Sequence, residues 1–411
     1  MQRRHPIAPL PTSLALLLAG CPAPEQPSAD ASSTASSGAG SSTGAADSSS
    51  GSTSAADGSS TGDGPPPSRW VVTADFTAQT LTLVDYDALA AGERDPAALV
   101  RGTIDLSAWA PGPLEVEIAP DGHTALVSVS SGFFDGIVGQ TLGFTDLTLD
   151  GTGLVVDLDT REVVTELATA HVPMGFAFLP DGSRAYSANF GYTGARGSTL
   201  SILDPADWSV IEDVEVGEGP EQVAIDESGT LGILNVDSLG AVRVFETADP
   251  AGTMSAPLEV AVDPSGVAFV SGMPLAIVAN SLTPSNWAVI DLSDPAAPVV
   301  RDQSSPPGGF PYGVTPVPGT AQVLMTLAND DTSFVLIDAS PNPSAAVWTA
   351  SVPGLRSFPL GAAVDIASGL ALSGAVGAEA LLAIHLDGSA VETIAWSAPG
   401  PSYVAIGPPR G

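Results

Sequence analysis

The stretch "GPEQVAIDESGTLGILNVD", Gly219 to Asp237, places a proline before an alternating apolar run. A Ser-Gly turn follows, then a second apolar run that reaches an asparagine, Asn235. Large and small residues alternate with period two in the first run, which is the period of a strand. Turn residues between two such runs reverse the chain into a hairpin. "VPMGFAFLPDGSRAYSAN" (172–189) and "DPSGVAFVSGMPLAIVAN" (263–280) repeat the pattern, so the unit is one copy of an internal repeat.

Aligning the copies on their opening prolines gives Pro113, Pro173, Pro220, Pro264, Pro311, Pro359 and Pro401, spaced by 60, 47, 44, 47, 48 and 42 residues. Three residues after each stands Val116, Phe176, Val223, Val267, Val314, Ala362 or Val404, and next to it Glu117, Ala177, Ala224, Ala268, Thr315, Ala363 or Ala405. Hairpin turns follow, as in Pro120-Asp121-Gly122 and Pro180-Asp181-Gly182. Second strands end at Asn189, Asn235, Asn280 or Asn329. Third strands end in an acid (Asp85, Asp157, Asp204, Glu246, Asp291, Asp338), or in His385 in the last copy. A fourth strand, such as "VIEDVEV" (210–216) or "APLEVAV" (256–262), leads to the next proline. Four antiparallel strands per roughly 45 residues make a β-propeller blade. The strand-end acids read as acceptors for backbone N–H groups in the next turn, and the asparagines as turn residues that tolerate left-handed backbone.

With its Pro-x-x-Val-Ala-Ile openings, Pro-Asp-Gly turns, strand-end asparagines and "VIDLSDPAAPVV" (289–300), the chain resembles the YVTN/LVIVD-type seven-bladed propellers over about 69–411. That resemblance implies an all-β, seven-bladed ring and leaves function open, since the family mixes binders, sensors and enzymes. Pro316 in "GVTPVPGTAQ" predicts an irregular start for its blade. The last copy has only a first strand, "PSYVAIG" (401–407), whereas "RWVVTAD" (69–75), "TLTLVDY" (80–86) and "ALVRGTI" (98–104) read as second, third and fourth strands. Joined, the two ends complete one composite blade and leave no exposed half-sheet at the junction.

The N-terminus is a different polymer. "MQRRHPIAPLPTSLALLLAGC" has Arg3 and Arg4 ahead of a short apolar run, too short for a membrane span. Leu18-Ala19-Gly20-Cys21 resembles the bacterial lipobox, and the only cysteine of the chain stands where that motif requires one. Residues 1–20 read as a lipoprotein signal peptide, Cys21 as the lipidation site, and 21–67 as the lipidated cysteine with a flexible, disordered Ser/Gly/Thr/Ala-rich tether. Residues 68–411 form the propeller. The alternative is an ordinary signal peptide with a chance cysteine. Pro22, rather than Asp, after Cys21 favours the outer membrane. As a Gly/Ser coil, the stretch 22–64 spans roughly 36 Å. Forty-six acids face 12 basic residues, all arginine, for a net charge of −34. Such a surface repels nucleic-acid phosphates and anionic lipid head groups, so membrane contact is expected through the anchor alone. A monomer is expected.

Propellers of this kind usually form their ligand face from the loops joining strand four to the next strand one and strand two to strand three. The longest spacing puts its surplus into one such loop, "SGFFDGIVGQTLGFTDLTLD" (131–150), with Phe133, Phe134 and Phe144. The equivalent loop of the next copy, "FGYTGARGS" (190–198), carries Phe190, Tyr192 and Arg196. Aromatics beside an arginine are what binding hot spots favour, and the alternative is that the phenylalanines fold back as a cap. Glu115, Glu117, His171, Glu221, Tyr312, Arg356 and Tyr403 are placed at the channel mouth. His123, His171 and His385 hold different repeat positions and predict no shared metal site. Oxygen-rich "NDDT" (Asn329 to Thr332) and "DLTLD" (Asp146 to Asp150) are candidate calcium ligands without EF-hand spacing. The leading reading is a surface-tethered binding or scaffold module for an envelope protein, peptide or glycan. The others are a lactonase-like hydrolase, by family analogy, and a calcium-dependent adhesion module.

Overall fold

The computed structural model describes residues 67–410 apart from 133, 145–146, 282–285, 306–308, 329–330, 332 and 356–357. Its strands form seven separate four-stranded antiparallel sheets. Blade 1 is composite: Pro401–Ile406 pairs with Trp70–Asp75, followed by Thr80–Asp85 and Val100–Asp105. The inner strands of blades 2 to 7 are Pro113–Ile118, Gly175–Phe178, Pro220–Ile225, Pro264–Phe269, Phe310–Pro316 and Ala362–Asp365. The chain is thus a seven-bladed β-propeller whose two ends share a sheet.

The apolar core is cut the same way. Seven clusters of buried side chains each lie between two consecutive blades, from Val72, Leu83, Val127 and Leu154 between blades 1 and 2 to Val71, Leu372, Leu381 and Val404 between blades 7 and 1. Each buried Val or Leu contributes roughly 1.5–3 kcal/mol, and here that burial exists only while the neighbouring blade is in place.

The opening prolines have a specific task. Proline brings no N–H that would need a partner near the axis, and its carbonyl is taken by the blade before it. Ser128 Oγ donates to the Pro173 carbonyl at 2.8 Å, Ser281 Oγ to Pro311 at 2.9 Å, Ser402 Oγ to Pro113 at 3.1 Å, and Asn235 Nδ2 to Pro264. The strand-end asparagines therefore differ from the sequence reading. Asn189, Asn235 and Asn280 are fully buried, and none has a positive φ. Asn189 and Asn235 are clamps bonded through both ends of the amide, as in Asn189 Nδ2 to Thr199 Oγ1 (2.9 Å) and Ser201 Oγ (2.7 Å) with Ser187 Oγ on its Oδ1 (2.8 Å), whereas Asn280 is held, among the described residues, through its Nδ2 alone, on Asn286 Oδ1 at 2.6 Å. Asn329 lies outside the described residues. Most of the acid column behaves as read: Asp157, Asp204, Asp291 and Asp338 accept backbone N–H groups of the next turn at 2.8–2.9 Å, and Asp85 accepts from Ala88 N at 3.0 Å, whereas the Glu246 carboxylate makes no such bond to a described residue.

Blade 6 does start irregularly, with a register shift between Pro311 and Val314, but Pro316 is not its cause: it ends the strand, paired with Val323, where a terminal position loses no ladder bond inside the sheet. One further expectation is corrected. In blade 4 only Leu258–Glu259 forms a fourth strand, and the rest of that edge is met by the turn Pro250–Thr253 and by Ser255, whose hydroxyl accepts from Val244 N at 3.0 Å.

The nine arginines among the described residues all bond to carboxylates or carbonyls, several across blades. Arg69 pairs with Asp365, Arg184 donates to the Thr247 carbonyl, and Arg410 stacks on Trp70 while pairing with Asp159 of blade 2. Removing residues 401–411 deletes both the closing strand and this last staple. The expected outcome is aggregation or a melting temperature lower by more than 10 °C, read by calorimetry; an unchanged melt would contradict ring closure.

Candidate functional site

The inner strands begin, and the second strands end, on one face of the ring. There the 131–150 segment folds back across the channel mouth. Gly132 bridges to Tyr192 and takes Ser130 Oγ on its N–H at 2.9 Å. A short helix, Ile137–Leu142, ends at Gly143 in the left-handed region (φ 89°), which turns the chain inward again. Phe134 is fully buried, with its ring 5.0 Å from Phe76 and 5.3 Å from Phe144, which is itself 5.2 Å from Phe76. Leu114, Met174, Phe190, Tyr312, Leu360 and Val376 complete this cluster from blades 2, 3, 6 and 7. It is the one apolar cluster among the described residues that spans the ring.

Of the two sequence readings, the exposed aromatic face gives way to phenylalanines folded back, here as a plug of the channel mouth. Phe134 and Phe190 are inside, 0% and 3% exposed, because the mouth offers them a ring of apolar partners that water does not. Residues 190–198 are a β-ribbon rather than a loop, extending Ala185–Tyr192 and Ala195–Asp204. Arg196 lies over the Phe190 ring at 5.5 Å and pairs with Asp237, so it too is engaged. Tyr192 is half-buried near the tip. Phe133 lies outside the described residues.

Beneath the plug is a polar belt. Two residues before the alanine column, the inner strands carry Tyr403, Glu115, Gly175, Gln222, Gly266, Gly313 and Gly361 in ring order. Gly175 and Gly361 make room for long polar side chains, while Gly266 and Gly313 lie against the backbone of the next blade. A Cβ on Gly175 would meet the Glu221 carbonyl at 2.7 Å and Gln222 Oε1 at 2.8 Å, and one on Gly361 would enter the Tyr403 ring. Across that space Gln222 Nε2 donates to Glu115 Oε2 at 2.5 Å, tying blade 4 to blade 2. One residue earlier Tyr312 donates to Glu221, tying blade 6 to blade 4 past the small Ser265. These bonds run between blades that are not neighbours.

Burial dominates the electrostatics. It pushes Glu115 up to about 8, although the Gln222 amide pulls the other way, and it pushes half-buried Glu117 up to about 7. Glu221 is raised well above the usual range by burial and by nearby Asp263. Tyr312 and Tyr403 are raised by burial and by the acids beside them. The belt acids thus hold their protons to higher pH than exposed carboxyls do. At the ring closure Asp75, also lifted to about 7 by burial, accepts from Thr73, Thr82 and the Trp396 indole.

Of the channel-mouth residues read from sequence, Glu115, Glu117, Glu221, Tyr312 and Tyr403 come together here. His171 is exposed against Gly197, outside the belt, and Arg356 lies outside the described residues. His123 bonds Asp159 and His385 bonds Glu392, each on its own blade flank. Among the described residues no group of three His, Cys, Asp or Glu side chains is placed to hold a metal. Asp146, Asn329, Asp330 and Thr332 lie outside them. Sequence reasoning missed Gln222, Asp237 and Asp263. Gln222 was detectable as the long residue in a column otherwise dominated by glycine. Asp237 and Asp263 sit in turns whose partners only the closed ring supplies.

No family model and no curated protein matches the chain. Among solved structures it is similar to a functionally unknown protein from Desulfotomaculum acetoxidans DSM 771, at 14% identity and TM-score 0.64, over 83% of this chain and 99% of that one. It is also similar to Kuenenia stuttgartiensis hydrazine synthase (19%, TM-score 0.52, 67% and 77% covered) and to the WD40 repeats of RRP9 (11%, TM-score 0.54, 74% and 83% covered). At these identities the likeness shows the propeller fold alone.

A carboxyl whose pKa is higher folded than unfolded holds its proton more tightly in the folded chain. Its contribution to stability is full below about pH 4.5 and is lost as pH rises through 7 to 8. Stability should therefore fall between pH 5 and pH 8.5. Glu115→Gln with Glu117→Gln should remove roughly 1–3 kcal/mol of that fall, measured by urea melts at both pH values. An identical slope in wild type and variant would show that the belt acids titrate normally. Phe134→Ala should cost about 3–5 kcal/mol at either pH, as expected of a buried ring.

Proposed function

We propose that this chain is an exported lipoprotein, anchored through Cys21, whose propeller is a non-enzymatic binding or scaffold module of the cell envelope. Its repeats are read as the YVTN/LVIVD type and its membrane as the outer one. The observation that carries the reading is the plug. With the channel mouth filled by the chain's own phenylalanines, recognition falls to the outer surface of the 131–150 segment and the neighbouring ribbon tip. Both stand on rigid blades, and a partner meeting a preordered surface loses little conformational entropy. The partner is an envelope protein, peptide or glycan. The long tether allows the ring to reach it from a fixed anchor.

A hydrolytic, lactonase-like reading has one observation in its favour: raised carboxyls cluster at functional sites, and Glu115, Glu117 and Glu221 are raised together. It requires the plug to open. Turnover of a simple lactone that is lost in Glu115→Gln would favour it over the binding module.

Cys21→Ser should move the protein from the membrane fraction to the soluble envelope fraction; continued sedimentation with membranes would sink the anchor assignment. Replacing 135–150 with a short Gly-Ser turn should abolish capture of the envelope partner while the blades still melt cooperatively. Undiminished capture would place recognition elsewhere.

A further inference from the structure

We propose that the groove between loops 237–240 and 259–262 of blade 4 is a docking site for a basic peptide segment presenting one bulky aliphatic side chain. The groove holds about 460 Å³ and is walled by Leu239, Val260, Ala261 and Val262, with Asp237 and Glu259 beside them. Leu239 is 44% exposed and Val262 55% exposed, an arrangement water disfavours unless something covers it.

Their exposure does not come from slack backbone. Asp237 N bonds the Gly219 carbonyl at 3.0 Å, Ser238 Oγ the Glu218 carbonyl at 2.7 Å, Gly240 N the Asp237 carbonyl at 2.9 Å, and Val260 N the Gly240 carbonyl at 2.9 Å. Gly240 is left-handed (φ 57°), and a Cβ there would strike the Ala261 carbonyl at 2.7 Å. Asp263, also left-handed (φ 59°), turns the chain directly after Val262. The two apolar side chains are thus held outward by a pinned frame, which is the preorganisation a binding groove needs.

Charge selects the occupant. Glu259 is exposed in the groove wall, Glu218 is exposed on the turn whose carbonyl holds Ser238, and Asp237 pairs with Arg196. A partner with arginine or lysine beside its apolar residue meets opposite charge there. A second copy of this chain fits poorly: it has no lysine, its described arginines are engaged, and its net charge is −34. An anionic lipid surface is repelled for the same reason. The groove lies on the plug face but uses no residue of 131–150, so it stands apart from that segment's proposed role.

The test uses the full-length chain and two labelled twelve-residue peptides in a Gly-Ser background. One has leucine between paired arginines, and the other has serine in place of that leucine. Anisotropy at physiological salt should show the leucine peptide binding at least tenfold tighter. Leu239→Ser should erase that preference with an unchanged melt, and Val262→Ser gives an independent reading should the first variant fold poorly. Glu218→Gln with Glu259→Gln should weaken both peptides and flatten the salt dependence. Equal binding of the two peptides, no binding of either, or a preference that survives both groove variants overturns the proposal. Replacing 135–150 should leave the leucine preference intact, so failure of the groove and failure of the plug-face reading are told apart.

Discussion

No blade of this ring buries both its faces alone. Each four-stranded sheet presents an apolar face on either side, and the seven inter-blade clusters exist only because every sheet has two neighbours. An open array would leave two such faces in water. Closure is therefore the constraint on which the rest depends, and the chain meets it by giving its last strand to its first sheet. The polar devices reinforce that arrangement. Ser402 holds the Pro113 and Leu114 carbonyls of the next blade, and Trp396 reaches back from the end of blade 7 to Asp75. Scarce arginines serve as staples because one guanidinium can satisfy several acceptors at once.

Closure also creates the problem that the channel must solve. Seven inner strands surround an axial space that side chains must fill. The lower part of the mouth is filled by acids and phenols bonded across the ring, and the upper part by aromatics from the 131–150 segment. Tyr312 and Tyr403 belong to both layers. Burying Glu115 and Glu221, and half-burying Glu117, costs stability unless they stay protonated or paired, and their raised pKa values express that cost. The face carrying these features is also the face with the exposed Leu239–Val262 groove, so the departures from a plain repeat gather at one end of the molecule.

Much of this was legible in the residues. The proline register, the large–small alternation and the missing strands at each end led directly to seven blades with a composite closure, because a period-two pattern and a fixed repeat length are local signals. The channel-mouth positions of Glu115, Glu221, Tyr312 and Tyr403 followed from the same register. What the pattern hid was partnership across the ring. Asn235 reads as a turn residue until the Pro264 carbonyl is seen to lie against its amide. Phe134 and Phe190 read as an exposed pair of anchors, since nothing in a one-dimensional repeat says that blades 6 and 7 supply Tyr312 and Leu360 to cover them. The glycine column carried the missing information: Gly175 and Gly361 leave room that Gln222 and Tyr403 of the next blade fill, while Gly266 and Gly313 let the next blade's backbone approach.

Hydrogen exchange at single-residue resolution tests the plugged, closed ring most directly. The Phe134 amide bonds the Ser131 carbonyl at 2.8 Å and the Phe144 amide bonds the Gly139 carbonyl at 2.7 Å, both within the segment that fills the mouth. The account predicts that these two amides exchange as slowly as those of the inner strands, Pro401–Ile406 included, through large-scale opening alone. Exchange as fast as at the exposed ribbon tip, 193–195, would contradict it and return the phenylalanines to solvent.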